Sequence, residues 1–146
     1  TFFIGFLCNY GDEFLIKEHP TETTNFYNLP SGKPRFGESI ESALIRIFES
    51  NTGIILDEKD FKFQSLHLKT VKTSHGEVLF DDAFTIYRVD VSHEQKERMK
   101  LHKQISWKSV GEIQKLPNRW PEIDICILKK DSTPYLSYEV KSDYVL

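Results

Sequence analysis

Cysteine is scarce in this 146-residue chain: Cys8 and Cys126 are the only two. They lie far apart and match no zinc or redox spacing, so neither a disulfide scaffold nor a thiolate metal site is expected. Two buried free thiols in a reducing compartment are. Long apolar runs are missing too; nothing reaches the ~20 residues of a membrane-spanning helix. The start, Thr1-Phe2-Phe3-Ile4-Gly5, lacks the basic flank, apolar core and cleavage site of a secretory leader. Positive charge is not in excess either. Lys and Arg total 19 against 22 Asp and Glu, a net charge of −3, which argues against a protein held mainly by phosphate backbones. No repeat, low-complexity stretch or linker divides the chain. With 39% apolar and 28% charged residues it has ordinary globular composition. A single cytoplasmic domain over residues 1–146 is the expectation, with no membrane partner and nucleic acid disfavoured.

What is present reads as strands around one clear helix. Phe2 to Tyr10 and Phe14-Leu15-Ile16 flank Gly11-Asp12, a hairpin pattern. Phe26 to Leu29 is a short aromatic strand, and Pro30-Ser31-Gly32-Lys33-Pro34 then turns the chain. Ile40, Ala43, Leu44, Ile47 and Phe48 recur at helical spacing after Ser39, a natural N-cap, and Gly53 marks the stop. Phe61 to Val71 and Val78 to Val91 read as an antiparallel pair joined at Thr73-Ser74-His75-Gly76. The break in two-residue period between Phe63 and Leu66 predicts a bulge near Ser65. Ser92 to Lys103 reads as a charged helix or loop, Ile105 to Trp107 as a strand and Val110 to Leu116 as a helical turn. Glu122 to Lys130 suits a last helix, with strand as the alternative, and the tail from Pro134 an edge strand. The order is that of an α+β domain with a mixed β-sheet.

One segment carries a resemblance. Gly32, then Glu38 after five residues, Arg46 after seven more, and Gly53-Ile54 at the close fit the pattern G-x5-E-x7-R-E-U-x-E-E-x-G-U, where U is bulky and apolar. Phe48 fills the first U position. A strand enters this segment, a loop turns it, and an amphipathic helix ends at glycine. The chain therefore resembles the Nudix family, which implies an α/β/α sandwich and an ancestral hydrolysis of a nucleoside diphosphate linked to another moiety. The resemblance also implies Mg²⁺ or Mn²⁺ held by the carboxylates of the helix.

Those carboxylates are missing. Their three positions are Ile47, Ser50 and Asn51. Successive helical residues turn by ~100°, which puts Ser50, Ile47 and Asn51 at ~40°, ~100° and ~140° from Arg46. Glu41, Glu49 and Glu38 fall at ~220°, ~300° and ~280°, so no helix carboxylate replaces the lost ones without exposing the apolar stripe. A divalent ion in phosphoryl chemistry supplies several kcal/mol, and each 1.36 kcal/mol is about tenfold in rate. The leading expectation is a nucleotide-binding or regulatory module whose ordinary Mg-dependent hydrolysis is lost or strongly reduced, with no cofactor. One alternative is an active pyrophosphohydrolase using Mg or Mn on relocated ligands, for which Asp81 and Asp82 are the candidates against a plain solvated turn. Another is a non-catalytic protein- or RNA-interaction domain.

Of the motif, Glu38 and Arg46 remain as a charged pair shaping loop and helix. Gly32, Lys33 and Arg35 are ligand-binding candidates, the two cations being suited to phosphate. His19, His67, His75, His93 and His102 show no metal-ligand spacing, and His67 reads as a satisfied, half-buried or surface residue. Lys96, Arg98, Lys100 and Lys103 read as a solvated helix face. One or two of the many aromatics suit a base-stacking role, but position alone selects none of them.

Overall fold

The computed structural model describes residues 1–141. Its centre is a mixed sheet. Strands β1 (Phe2–Tyr10) and β2 (Glu13–Pro20) form the hairpin around Gly11-Asp12, followed by β3 (Asn25–Asn28) and the two-residue β4 (Ser31–Gly32). Helix α1 (Ile40–Thr52) and a 3₁₀ turn (Glu58–Asp60) lead to β5 (Lys62–Lys72) and β6 (Val78–Asp90). Then come α2 (His93–Arg98), β7 (Ile105–Ser109), α3 (Val110–Gln114), α4 (Pro121–Ile123) with a π-helical turn (Asp124–Leu128), and β8 (Tyr135–Lys141). The sheet order is β3-β2-β1-β6-β5-β8, with β4 on β1 and β7 on β2. The pairs β1/β6 and β5/β8 are parallel and the others antiparallel.

The segment around Pro30 corrects one expectation. The chain does turn there, yet Ser31 and Gly32 also pair with Gly5 and Ile4, because only the prolines lack an N–H for a ladder. This pins the motif loop to the central strand.

Helix α1 begins where Ser39 accepts a hydrogen bond from the backbone N–H of Ser42. It ends where Gly53 takes the left-handed conformation, φ 77°, and donates to the Glu49 carbonyl. Its apolar stripe packs on one sheet face with Ile4, Phe6, Cys8, Phe61 and Val89. Phe48 is the keystone, edge-on to Phe6 (5.2 Å) and Phe61 (5.6 Å). On the opposite face, Ile123, Cys126 and Ile127 of α4 and the π turn cover Leu7, Phe84 and Ile86. The result is an α/β/α sandwich.

Strand β5 shows why its pattern was hard to read. The register shifts between Phe63 and Ser65, and beyond that bulge Ser65, His67 and Lys69 point into the protein while Leu68 stays 49% exposed. Polar side chains therefore occupy inward positions, and His67, expected at or near the surface, is completely buried.

Replacing Phe48 by alanine removes a fully buried ring from the aromatic trio. Denaturant unfolding should show a loss of about 3–5 kcal/mol.

Candidate functional site

The motif loop is held by the charged pair the sequence indicated. Arg46 donates from Nε to Glu38 Oε2 (2.8 Å) and from Nη2 to Glu38 Oε1 (2.9 Å). The same Nη2 reaches the Lys33 carbonyl, and Glu38 Oε1 also accepts from the Arg35 backbone N–H. Those guanidinium hydrogen bonds, then the Arg35 N–H, hold the Glu38 carboxyl from its ordinary 4.5 down to about 2. The pair ties helix to loop at both ends of the turn.

Ile47, the next residue of the helix, takes up the space over Gly32. A side chain on Gly32 would begin 2.6 Å from Ile47 Cγ2, so the glycine's lack of one lets the helix approach β4. Ile47 is 3% exposed and belongs to the core beneath α1. Ser50 is exposed. Asn51 is buried, its amide donating to the Ser31 carbonyl at 3.4 Å. Magnesium takes near-octahedral oxygen ligands, usually including carboxylates. The arc Ile47, Ser50, Asn51 offers a hydrocarbon, a lone hydroxyl and a neutral amide, so it does not fit that ion. Among the described residues, no three His, Cys, Asp or Glu side chains gather as a metal site.

A recess of about 190 Å³ opens on the opposite sheet face. Phe3, His19, Asn28, Ser31, Lys69, Asp82, Phe84 and Trp120 line it, so six strands and the residue before α4 converge there. Phe3 and Phe84, neighbours across β1 and β6, stack with ring centres 5.9 Å apart. Trp120 is positioned by its backbone N–H, which donates to the Tyr27 carbonyl. Lys69 Nζ lies 4.3 Å from the Trp120 ring centre and donates to Glu122 Oε1 at 2.6 Å. Both charges of this pair are almost wholly out of water, at 3% and 0% side-chain exposure. Glu122 Oε2 is buried without a partner among the described residues.

The structure brings some of the sequence candidates here and leaves others out. Lys33 reaches the edge of the recess, its Nζ 5.2 Å from the Phe3 ring centre. Arg35 is exposed and does not line it. Gly32 serves the packing of Ile47. Asp81 and Asp82 are not a solvated turn; both lie within β6. Asp81 accepts from Thr70 Oγ1, while Asp82 faces the recess at 10% side-chain exposure, and burial raises its carboxyl pKa. Of the basic run, Lys96 is not simply solvated. It donates to Glu13 Oε1 (2.8 Å) and sits over the rings of Tyr10 and Trp107.

Behind the recess runs a chain of buried polar contacts. Glu122 Oε1 lies 3.4 Å from Tyr138 Oη, which meets His67 Nδ1 at 2.9 Å, and His67 Nε2 meets Ser65 Oγ at 3.1 Å. Burial lowers the His67 pKa and pushes the nearby Cys126 thiol up to about 12, so the imidazole favours its neutral form and the thiol is inert at neutral pH. Cys8 is likewise a buried free thiol. Sequence reasoning missed Lys69, Glu122, Phe84 and Trp120. A lysine continuing the inward series Ser65, His67 of β5 was the available signal for the first.

Glu38→Gln should lower stability at neutral pH and flatten the acid limb of thermal melts. The stabilisation from a depressed carboxylate is complete above about pH 4.5 and is lost as pH falls through about 2. Lys69→Met should cost about 3–5 kcal/mol in urea unfolding, because it strands the Glu122 charge, whereas Lys69→Met with Glu122→Leu should recover most of it.

No family model and no curated protein matches the chain. Solved structures do. A MutT protein from Bacillus halodurans aligns over 99% of this chain and 93% of its own, with TM-score 0.72 and 18% identity. The NUDIX domain of Shewanella oneidensis NrtR, crystallised with ADP-ribose, aligns over 88% and 84%, with TM-score 0.65 and 11% identity. A MutT protein from Methanosarcina mazei Go1 aligns over 89% and 91%, with TM-score 0.62 and 16% identity. At these identities the likeness is one of architecture, and the sandwich, the sheet and the loop–helix unit all agree with it: this chain has the Nudix fold.

Proposed function

We propose that this domain binds a nucleotide-like small molecule in the Phe3–Phe84–Trp120 recess as a cytoplasmic binding or regulatory module, and that ordinary magnesium-dependent hydrolysis is lost or strongly reduced. The observation that carries the reading is Ile47, sealed in the core against Gly32 where the resemblance puts a metal-binding carboxylate. Restoring a charge there would bury it in hydrocarbon, a cost that ordinarily neutralises the group. Ligand binding is supported by the aromatic lining of the recess, by Lys33 at its edge and by the ADP-ribose held in the NrtR domain of the same fold. Phosphates approaching past the motif loop meet the Lys33 ammonium, while a planar group enters between the rings. No helix among the described residues is long and apolar enough to cross a membrane.

Purified protein incubated with a panel of nucleoside diphosphate derivatives and Mg²⁺ or Mn²⁺ should turn over far below the ~1–10³ s⁻¹ of ordinary enzymes. In EDTA it should still bind members of that panel by calorimetry, and Lys33→Ala should weaken that binding about tenfold or less, as suits one partly solvated charge. Robust metal-dependent turnover that disappears in Asp82→Ala would instead establish hydrolysis on relocated ligands.

A further inference from the structure

Lys69 and Asp82 face each other directly across β5 and β6, and both line the recess. Opposite charges so placed would ordinarily close into an ion pair, and here they do not. Lys69 turns to Glu122 on the helical layer and is fixed over the Trp120 ring. The Asp82 carboxylate takes no hydrogen bond among the described residues; the amino group of Thr1, 3.9 Å away, is its ion-pair partner. An ammonium carries three donors and an ionised carboxylate only acceptors. The recess thus presents a donor with N–H groups beyond the one given to Glu122, next to an acceptor with open lone pairs. Aromatic rings flank both.

We propose that Lys69 and Asp82 are specificity-determining residues that select a ring with a lactam edge, a carbonyl oxygen beside a ring N–H, over one with an amino edge. This rests on the nucleotide-binding reading above and narrows it. The carbonyl oxygen accepts from Lys69, and the adjacent N–H donates to Asp82. Hypoxanthine, guanine and uracil carry that edge. Adenine and cytosine reverse it, setting an amino group against the ammonium and a ring lone pair against the carboxylate. The remaining N–H groups of Lys69 and the open lone pairs of Asp82 would then be desolvated unpaired, the situation that gives polar sites their strongest discrimination. At about 190 Å³ the recess is smaller than the ~300–1,000 Å³ of a site for a drug-sized ligand, which suits one ring system inserted edge-first. Glu122 acts through Lys69 as a positioning residue, since its Oε1 holds the ammonium away from Asp82.

Inosine diphosphate and adenosine diphosphate test this directly, because the two bases share a shape and differ at that edge. Calorimetric titration of the full chain in EDTA should give at least about fivefold tighter binding of inosine diphosphate, the lower end of what one good paired contact discriminates. Asp82→Asn should erase the preference. Lys69→Met with Glu122→Leu, which keeps the interior neutral, should weaken inosine diphosphate more than adenosine diphosphate. Equal affinities, an adenosine preference, or a preference that survives these substitutions overturns the assignment and leaves the nucleotide-binding reading standing. Failure of both nucleotides and of the wider panel to bind overturns the two together.

Discussion

The contact between Ile47 and Gly32 is the constraint from which the rest of the motif follows. A glycine at the start of the loop admits the isoleucine, the isoleucine draws α1 against β4, and β4 is in turn laddered onto the central strand β1. Arg46, next along the helix, is left pointing to the loop, where Glu38 and the Lys33 carbonyl take up its guanidinium. The shape of the motif loop is thereby kept by dispersion and one hydrogen-bonded ion pair. The innermost element of that arrangement is a hydrocarbon side chain close-packed on a backbone.

The two faces of the sheet divide the labour. Under α1 the core is apolar and aromatic, with Phe6, Phe48 and Phe61 interlocked. Under α4 and the π turn it carries charge. A lysine and a glutamate withdrawn from water gain little net stability over an apolar pair of similar volume, while loss of either partner is expensive. Such a pair therefore fixes geometry more than it adds stability. Here it sets an ammonium against the Trp120 ring, at the inner end of a recess whose other walls are Phe3 and Phe84.

Much of the fold was legible because it rests on local rules. Ser39 and Gly53 bracket a stripe of Ile40, Ala43, Leu44, Ile47 and Phe48, and cap chemistry plus a 3.6-residue period leave little choice. The spacing from Gly32 to Ile54 located the loop and the Glu38–Arg46 pair. The recess was not legible. Its residues come from positions 3, 19, 28, 31, 69, 82, 84 and 120, and tertiary pairing brings them together. Parity misled as well. The bulge before Ser65 reverses which side of β5 faces inward, so Leu68, apolar in pattern, is half exposed while His67 and Lys69 are buried. Asp82 followed the same logic: adjacent to Asp81 in sequence, it points to the other face once both are in a strand.

Strand β8 lies at the rim of the described sheet, its backbone paired with β5, and it supplies Tyr138 to the polar chain that ends at Lys69. Rim strands fray before central ones do. Were β8 to peel from β5, solvent would gain a path to His67 and Glu122, and the dryness that strengthens the ammonium's field in the recess would be lost. Strand β8 would thus set how wet the wall behind the recess is, and slow amide exchange along Leu136 to Val140 would mark a sealed wall.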